Sequence, residues 1–261
     1  MAKQDFKDKV FIITGASSGI GRAAAVALAK QGAKVTLGAR RVDQVKLTAK
    51  EVTTAGGEAL VVPLDVTDRS QVERMILETN HLWGKVDGLI SNAGQYIRVP
   101  VVDLTKDDLE RSMAVNFYGH FHAVQAVLPT MIRQGSGHII LISTMDAKKG
   151  LPPDAPYVSA KYALSGYGDV LRQELQPLGI AVTTFFPGRV DTPMTSDLIV
   201  PWISAKITPE SVAKAILRAI HTKPAEVILP PQVILLHLVN VISPRLADWF
   251  VKKFRLEGWK A

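Results

Sequence analysis

Tyr157 and Lys161 stand four residues apart in a stretch, 155–176, whose apolar residues return every three or four positions. On a helix this spacing sets both side chains on one face, with roots about 5–6 Å apart. A phenol with its ordinary pKa of about 10 carries protons poorly at neutral pH, whereas a neighbouring ammonium favours the phenolate. The pair therefore suits general acid–base work, moving a proton to or from a reacting oxygen. Taken alone, the same spacing also describes an ordinary exposed amphipathic helix.

A second constellation opens the chain. In GASSGIG, the glycines Gly15, Gly19 and Gly21, with Ser17, Ser18 and Ile20 among them, follow an apolar run and lead into a helical pattern. Gly15 permits a tight turn, Gly19 lets backbone amides approach a pyrophosphate, and Gly21 allows close helix–strand packing. Phosphates would then sit at the positive end of the helix. An ordinary glycine turn is the alternative, and the position at the first strand-to-helix junction favours the dinucleotide reading. Asn92, Ala93 and Gly94 follow a later apolar run, where small residues would let backbone approach an adenine ribose, or simply make a turn. About 20 residues past the glycines, where a carboxylate would accept ribose hydroxyls, the chain reads Gly38-Ala39-Arg40-Arg41. Guanidinium suits a 2′-phosphate, so Arg40, helped by Arg41 or Arg22, is read as the selector for NADP(H). A solvated arginine pair at a helix start is the other possibility.

These residues need elements to hold them. Seven short apolar runs, 10–14, 34–37, 59–62, 88–91, 138–143, 181–186 and 226–229, read as strands. Between them, 20–31, 42–55, 69–81, 106–133, 155–176 and 209–221 carry helical periodicity. Such alternation predicts an α/β fold, a doubly wound Rossmann-like sheet of about seven parallel strands with helices on both faces. In this architecture chemistry gathers at the carboxyl ends of the strands, where the residues above fall. No linker or repeat divides residues 1–261, which are expected to form one dinucleotide-binding and catalytic domain. Residues 187–209 read as an irregular insert over the substrate, and 230–261 as a C-terminal extension.

In this order and spacing the chain resembles the short-chain dehydrogenases/reductases of the compact, non-extended type. TGASSGIG (14–21) is similar to their TGxxxGxG loop, and NAG (92–94), Asn116, YxxxK at Tyr157 and Lys161, and PGRVDTP (187–193) follow. The resemblance spans roughly residues 8–229. It implies that Tyr157 is the proton donor, that Lys161 also holds the nicotinamide ribose, and that Asn116 holds a water in a proton relay. It implies cofactor contacts for Asp65 and Val66, with Asp65 at the adenine amino group, though an Asp after a strand is also a common helix cap. Pro187, Gly188, Val190 and Thr192 would meet the nicotinamide, Thr192 at its carboxamide. The family's oxygen-orienting serine normally stands 13 positions before the tyrosine, and that position here is Thr144, with Ser143 beside it as fallback. Threonine keeps the hydroxyl but is stiffer and bulkier. By analogy, helices 106–133 and 155–176 pair subunits into a homodimer or homotetramer. A non-catalytic NADPH-binding sensor or scaffold on the same fold is the rival, favoured by Thr144 and opposed by Asn116, Tyr157 and Lys161.

Composition bounds the remainder. The 261 residues contain no cysteine, which removes disulfides, thiolate metal sites and cysteine nucleophiles, and no metal-binding set is read. With 31 basic and 24 acidic residues scattered along the chain, the net charge of +7 suits an anionic cofactor better than nucleic acid. The charged start and the early break at Thr14-Gly15 argue against a signal peptide and for a cytoplasmic protein. Leu198, Ile199, Val200, Trp202 and Ile203 are expected to wall an apolar pocket for a steroid, retinoid-like, fatty-acyl or aromatic ketone, or else to fill the core or an oligomer contact. In the tail, 233–242 is apolar, and 245–259 places Leu246, Trp249, Phe250 and Phe254 on one helical face flanked by Arg245, Lys252, Lys253 and Arg255. The expectation is that this tail packs against the lid or a partner subunit, with peripheral membrane contact as a further role.

Overall fold

The computed structural model describes residues 6–260, so the first five residues of the charged N-terminal stretch lie outside it. Each apolar run becomes a strand: β1 (Val10–Thr14), β2 (Lys34–Ala39), β3 (Glu58–Pro63), β4 (Gly88–Ser91), β5 (Gly137–Ile142), β6 (Ile180–Pro187), and, after the short β7 (Leu198–Ile199), β8 (Glu226–Leu229). The sheet runs β3-β2-β1-β4-β5-β6-β8, and every pairing in it is parallel. Strand order reverses between β1 and β4, the switch point at which such sheets open a crevice.

Period-two alternation along β1 divides the core. Phe11 and Ile13 face α1 (Gly19–Ala29), α2 (Val42–Thr54) and α7 (Pro209–Thr222), packing with Leu28, Val45 and Ile216. Ile12 faces the other layer, α3 (Arg69–Trp83), α5 (Gly119–Gln134) and α6 (Ala155–Leu175), with Met75, Val127, Met131 and Leu164. Burial on both faces is why these strands read as continuous apolar runs.

Two segments depart from the periodicity. The helix expected over 106–133 is α4 (Lys106–Met113), a π-helical turn over Ala114–Tyr118, then α5. The wider turn carries Asn116, which is fully buried. The tail forms two helices, α8 (Ile234–Ile242) and α9 (Pro244–Phe254), followed by β9 (Trp259–Lys260). β9 pairs antiparallel with β7, so the end of the chain is stitched to the 187–209 insert. Among the described residues, no helix is long and apolar enough to cross a membrane.

Candidate active site

A cleft of about 500 Å³ opens over the carboxyl ends of the strands. Its floor is the β1–α1 loop, and its walls come from the segments after β2, β3, β4, β5 and β6. Gly15, Ser17, Ser18, Gly19 and Ile20 line it, as do Arg40, Arg41, Asp65, Val66, Asn92, Ala93, Gly94, Pro187, Gly188, Val190 and Thr192. Gly21 lies beneath rather than in the cleft: a Cβ there would come within 2.5 Å of the Gly15 carbonyl oxygen. Gly19 has φ +55°, and a Cβ on it would meet the Thr192 methyl at 2.8 Å. The loop is thus shaped to leave bare backbone at the start of α1, which suits an anionic phosphate. Asn92 turns inward, its amide donating to the Thr14 carbonyl at 3.0 Å while its backbone N–H donates to the Thr14 hydroxyl at 2.9 Å. It locks the β4 loop onto the β1 loop.

The basic residues divide in a way the sequence does not reveal. Arg41 donates to the Ser17 and Ser18 hydroxyls at 3.1 and 3.0 Å, which holds its guanidinium against the glycine loop. Arg40 is exposed on the cleft wall. Arg22 does not line the cleft and is paired in two-pronged fashion with Glu51, at 2.9 and 2.6 Å. Asp65 is not the cap of α3. That role belongs to Asp68, which accepts from the Ser70 and Gln71 backbone, while Asp65 accepts from the Thr67 N–H and hydroxyl.

At the other end of the cleft, β5 delivers Ser143 and Thr144, and α6 delivers Tyr157 and Lys161. Thr144 and Tyr157 both line the cleft, the Thr144 hydroxyl accepting from the Asp146 N–H at 3.3 Å, whereas Ser143 is buried and donates to the Lys161 carbonyl at 3.3 Å. The Ser143 hydroxyl is thereby spent on the helix. Burial pushes the Tyr157 phenol well above its ordinary range, and the negative charges of Asp146 and Asp154 push the same way, against the Thr144 hydroxyl. The expected lowering by the lysine is therefore not what this environment produces. Lys161 is itself buried, and loss of water brings its pKa from 10.5 to about 7. Its ammonium nitrogen donates to the Ile142 carbonyl at 2.8 Å and lies 3.4 Å from Nε2 of His120, whose Nδ1 is 2.8 Å from the Ser91 hydroxyl. Burial, then the lysine charge, holds His120 neutral, far below the usual imidazole range.

Asn116 is anchored by its own wide turn. Its amide donates to the Gln95 carbonyl at 2.8 Å, and its oxygen accepts from the Gln95 N–H at 3.0 Å. The cleft also holds groups that no motif indicated. Tyr96 meets the Tyr157 ring edge-on with centroids 5.0 Å apart, and its hydroxyl donates to Asp154 at 2.6 Å. Asp154 is fully buried and is paired with Arg98 at 2.8 Å. Asp146, in the polar loop after Thr144, has its pKa raised to about 6 by burial, with Arg189 opposing. Arg189 donates to Ser204 through Nη1, while its buried Nη2 has no protein partner. Of the five residues expected to wall the pocket with apolar surface, only Leu198 lines it; Ile199, Trp202 and Ile203 face outward. The wall near the tyrosine is mixed instead, combining Met194 and Leu198 with Tyr96, Asp146 and Arg189.

Comparison with known proteins agrees with this arrangement. The family model for short chain dehydrogenase matches residues 9–200. An uncharacterized oxidoreductase of Staphylococcus aureus is 34% identical over 220 residues, covering 84% of this chain and 94% of the relative. One from Listeria innocua is 38% identical over 188 residues, covering 71% and 76% respectively. Among solved structures, a short-chain type dehydrogenase/reductase from Mycobacterium marinum superposes with a TM-score of 0.79 at 27% identity, covering 86% of this chain and 94% of that one. An alcohol dehydrogenase from Thermococcus sibiricus, complexed with 5-hydroxy-NADP, gives 0.77 at 30% identity over 85% and 95%. With a glycine loop at the switch point of a parallel sheet, a tyrosine–lysine pair on α6, and a match over most of its length, this chain is an oxidoreductase of the short-chain dehydrogenase family.

Proposed function

We propose that the protein is an NADP(H)-dependent enzyme acting on a carbonyl/alcohol pair, with Tyr157 as proton donor and acceptor. The observation that carries this reading is the convergence of Thr144, Tyr157 and Lys161 in the cleft that also contains the glycine loop and the arginine pair. A bound reduced nicotinamide supplies the hydride. Gly15, Ser17, Ser18, Gly19 and Ile20 would hold its phosphates, Asp65, Val66 and Asn92–Gly94 its adenosine side, and Lys161, Pro187, Gly188, Val190 and Thr192 its nicotinamide side. Arg41, fixed over Ser17 and Ser18, is the stronger candidate for a 2′-phosphate contact, with Arg40 beside it. Thr144 orients the substrate oxygen toward Tyr157, and a phenol held neutral by burial gives up its proton as that oxygen gains alkoxide character. Lys161 and Asn116 then serve proton return.

The mixed wall supports a ketone with an apolar body and one hydrogen-bond-accepting group. Met194 and Leu198 would receive the body and the unpartnered Arg189 Nη2 the acceptor. Pairing of subunits through α5 and α6 is supported by the exposed Phe121, Tyr162 and Val170. The test is turnover of a ketone panel with NADPH by the wild type and Tyr157→Phe. The variant loses turnover while NADPH affinity, read by fluorescence titration, is retained. Activity within about tenfold of wild type, with chemistry limiting, would remove Tyr157 from the reaction.

A further inference from the structure

The tail helices are turned inside out. In α8 the exposed residues are Ile234, Leu235, Leu238, Val241 and Ile242, which fall within a roughly 120° arc of the helix, and every one is aliphatic. No residue of α8 is fully buried. α9 does the same: it buries the small Ala247 and Val251 and leaves Leu246, Trp249 and Phe254 substantially exposed. This is not a detached tail. His237 contacts the Lys148 carbonyl at 3.2 Å, Lys149 pairs with Asp248, and Arg98 donates to the Glu257 carbonyl at 3.0 Å. β9 is zipped to β7. The helices are therefore fastened with their apolar faces outward.

We propose that this face docks on an anionic lipid membrane. Exposed Arg245, Lys252 and Lys253 of α9 flank Trp249, and Arg255, just beyond the helix, stacks on Trp259 with its guanidinium carbon 4.3 Å from the ring centroid. Of the two acids in the same stretch, Asp248 is engaged by Lys149. An aliphatic strip with interfacial tryptophan and a basic rim matches the boundary between acyl chains and anionic headgroups. A second copy of the chain fits less well. A two-fold contact sets a patch against itself, so the basic rim would meet its own copy, and the α8 strip offers no polar group to fix a register. Trp202, 88% exposed, follows β7 by three residues, in the insert that β7 ties to the tail through β9.

The test is flotation of the full-length protein with phosphatidylcholine vesicles, with and without phosphatidylglycerol. The wild type floats with the anionic vesicles only, and added salt releases it. Leu238→Glu/Val241→Glu stays in the unbound fraction. Lys252→Ala/Lys253→Ala loses roughly 25-fold in vesicle partition, at about fivefold per cation. Each variant keeps wild-type circular dichroism and NADPH affinity, since none of these residues lines the cleft. Failure of the wild type to float, or undiminished flotation of both double variants, overturns the proposal. So does a fall in solution mass by light scattering in Leu238→Glu/Val241→Glu, which would make a second copy the occupant. None of these outcomes touches the catalytic reading, which is read separately as ketone turnover in vesicle-free buffer.

Discussion

Replacement of Lys161 by methionine tests the electrostatics of the site without requiring the substrate. Burial brings the lysine from 10.5 to about 7, which corresponds to a difference of about 5 kcal/mol between its two protonation states. Between those values the unfolded chain binds a proton that the folded chain has released. Stability therefore rises with pH across this window, by at most about 1.4 kcal/mol per pH unit. Below about pH 7 both states are protonated, and the folded protein carries the full cost of a buried ammonium. Methionine has nearly the same length, removes the titration, and gives up the hydrogen bond to Ile142. Urea unfolding of both proteins between about pH 7.5 and pH 9 should show the wild type gaining about 2 kcal/mol relative to Lys161→Met. Contributions from groups not coupled to Lys161 cancel in that difference, and His120, which touches the lysine, is held neutral chiefly by burial. A gap between the two proteins that stays constant to within about 0.5 kcal/mol would refute the depressed lysine and the dry pocket that causes it.

Three further outcomes follow from the same geometry. Thr144→Val should lower kcat at least about tenfold, while Ser143→Ala, which loses only a bond to the α6 backbone, stays within about threefold; the opposite ranking would assign the oxygen contact to Ser143. Arg41→Ala should lower the NADPH-to-NADH ratio of kcat/KM by about 1–3 kcal/mol equivalents, more than Arg40→Ala does, and an unchanged ratio in both variants would remove the arginine pair from cofactor choice. Asp154→Asn should cost about 3 kcal/mol in urea unfolding because it leaves the Arg98 charge buried without its partner, with part of the loss recovered in Asp154→Asn/Arg98→Met; a single-variant loss under about 1 kcal/mol would contradict the buried pair.

The sheet was readable because its strands are covered on both faces, so VFIIT and HIILIS carry apolar residues without interruption. Tyr157 and Lys161 were readable because a helical repeat dictates which residues are neighbours. What stayed hidden depends on contacts between distant parts of the chain. Nothing local says that Glu51 occupies Arg22, or that His120, 41 positions away, lies against the Lys161 ammonium. The π-helical turn at Asn116 is likewise unmarked by glycine or proline inside it, and Asn116 is secured there by Gln95, 21 positions earlier. Burial of the tyrosine, and with it the sign of its pKa displacement, is a property of the assembled cleft.

The tail shows a different limit. Over 245–259 periodicity shows an apolar stripe, and over 233–242 an apolar run, and the usual inference is that such residues face inward. That inference rests on water being the only alternative environment. In α8 the inner side is secured by polar and backbone contacts such as His237 to Lys148, and in α9 by the small residues Ala247 and Val251, which let the helix lie close to the body. Orientation was therefore decided by what the body offers to the inner face, and the stripe of larger side chains was left to whatever lies outside. The spacing of apolar residues tells which side of an amphipathic helix seeks an apolar phase; it does not say whether that phase is the core of the same protein.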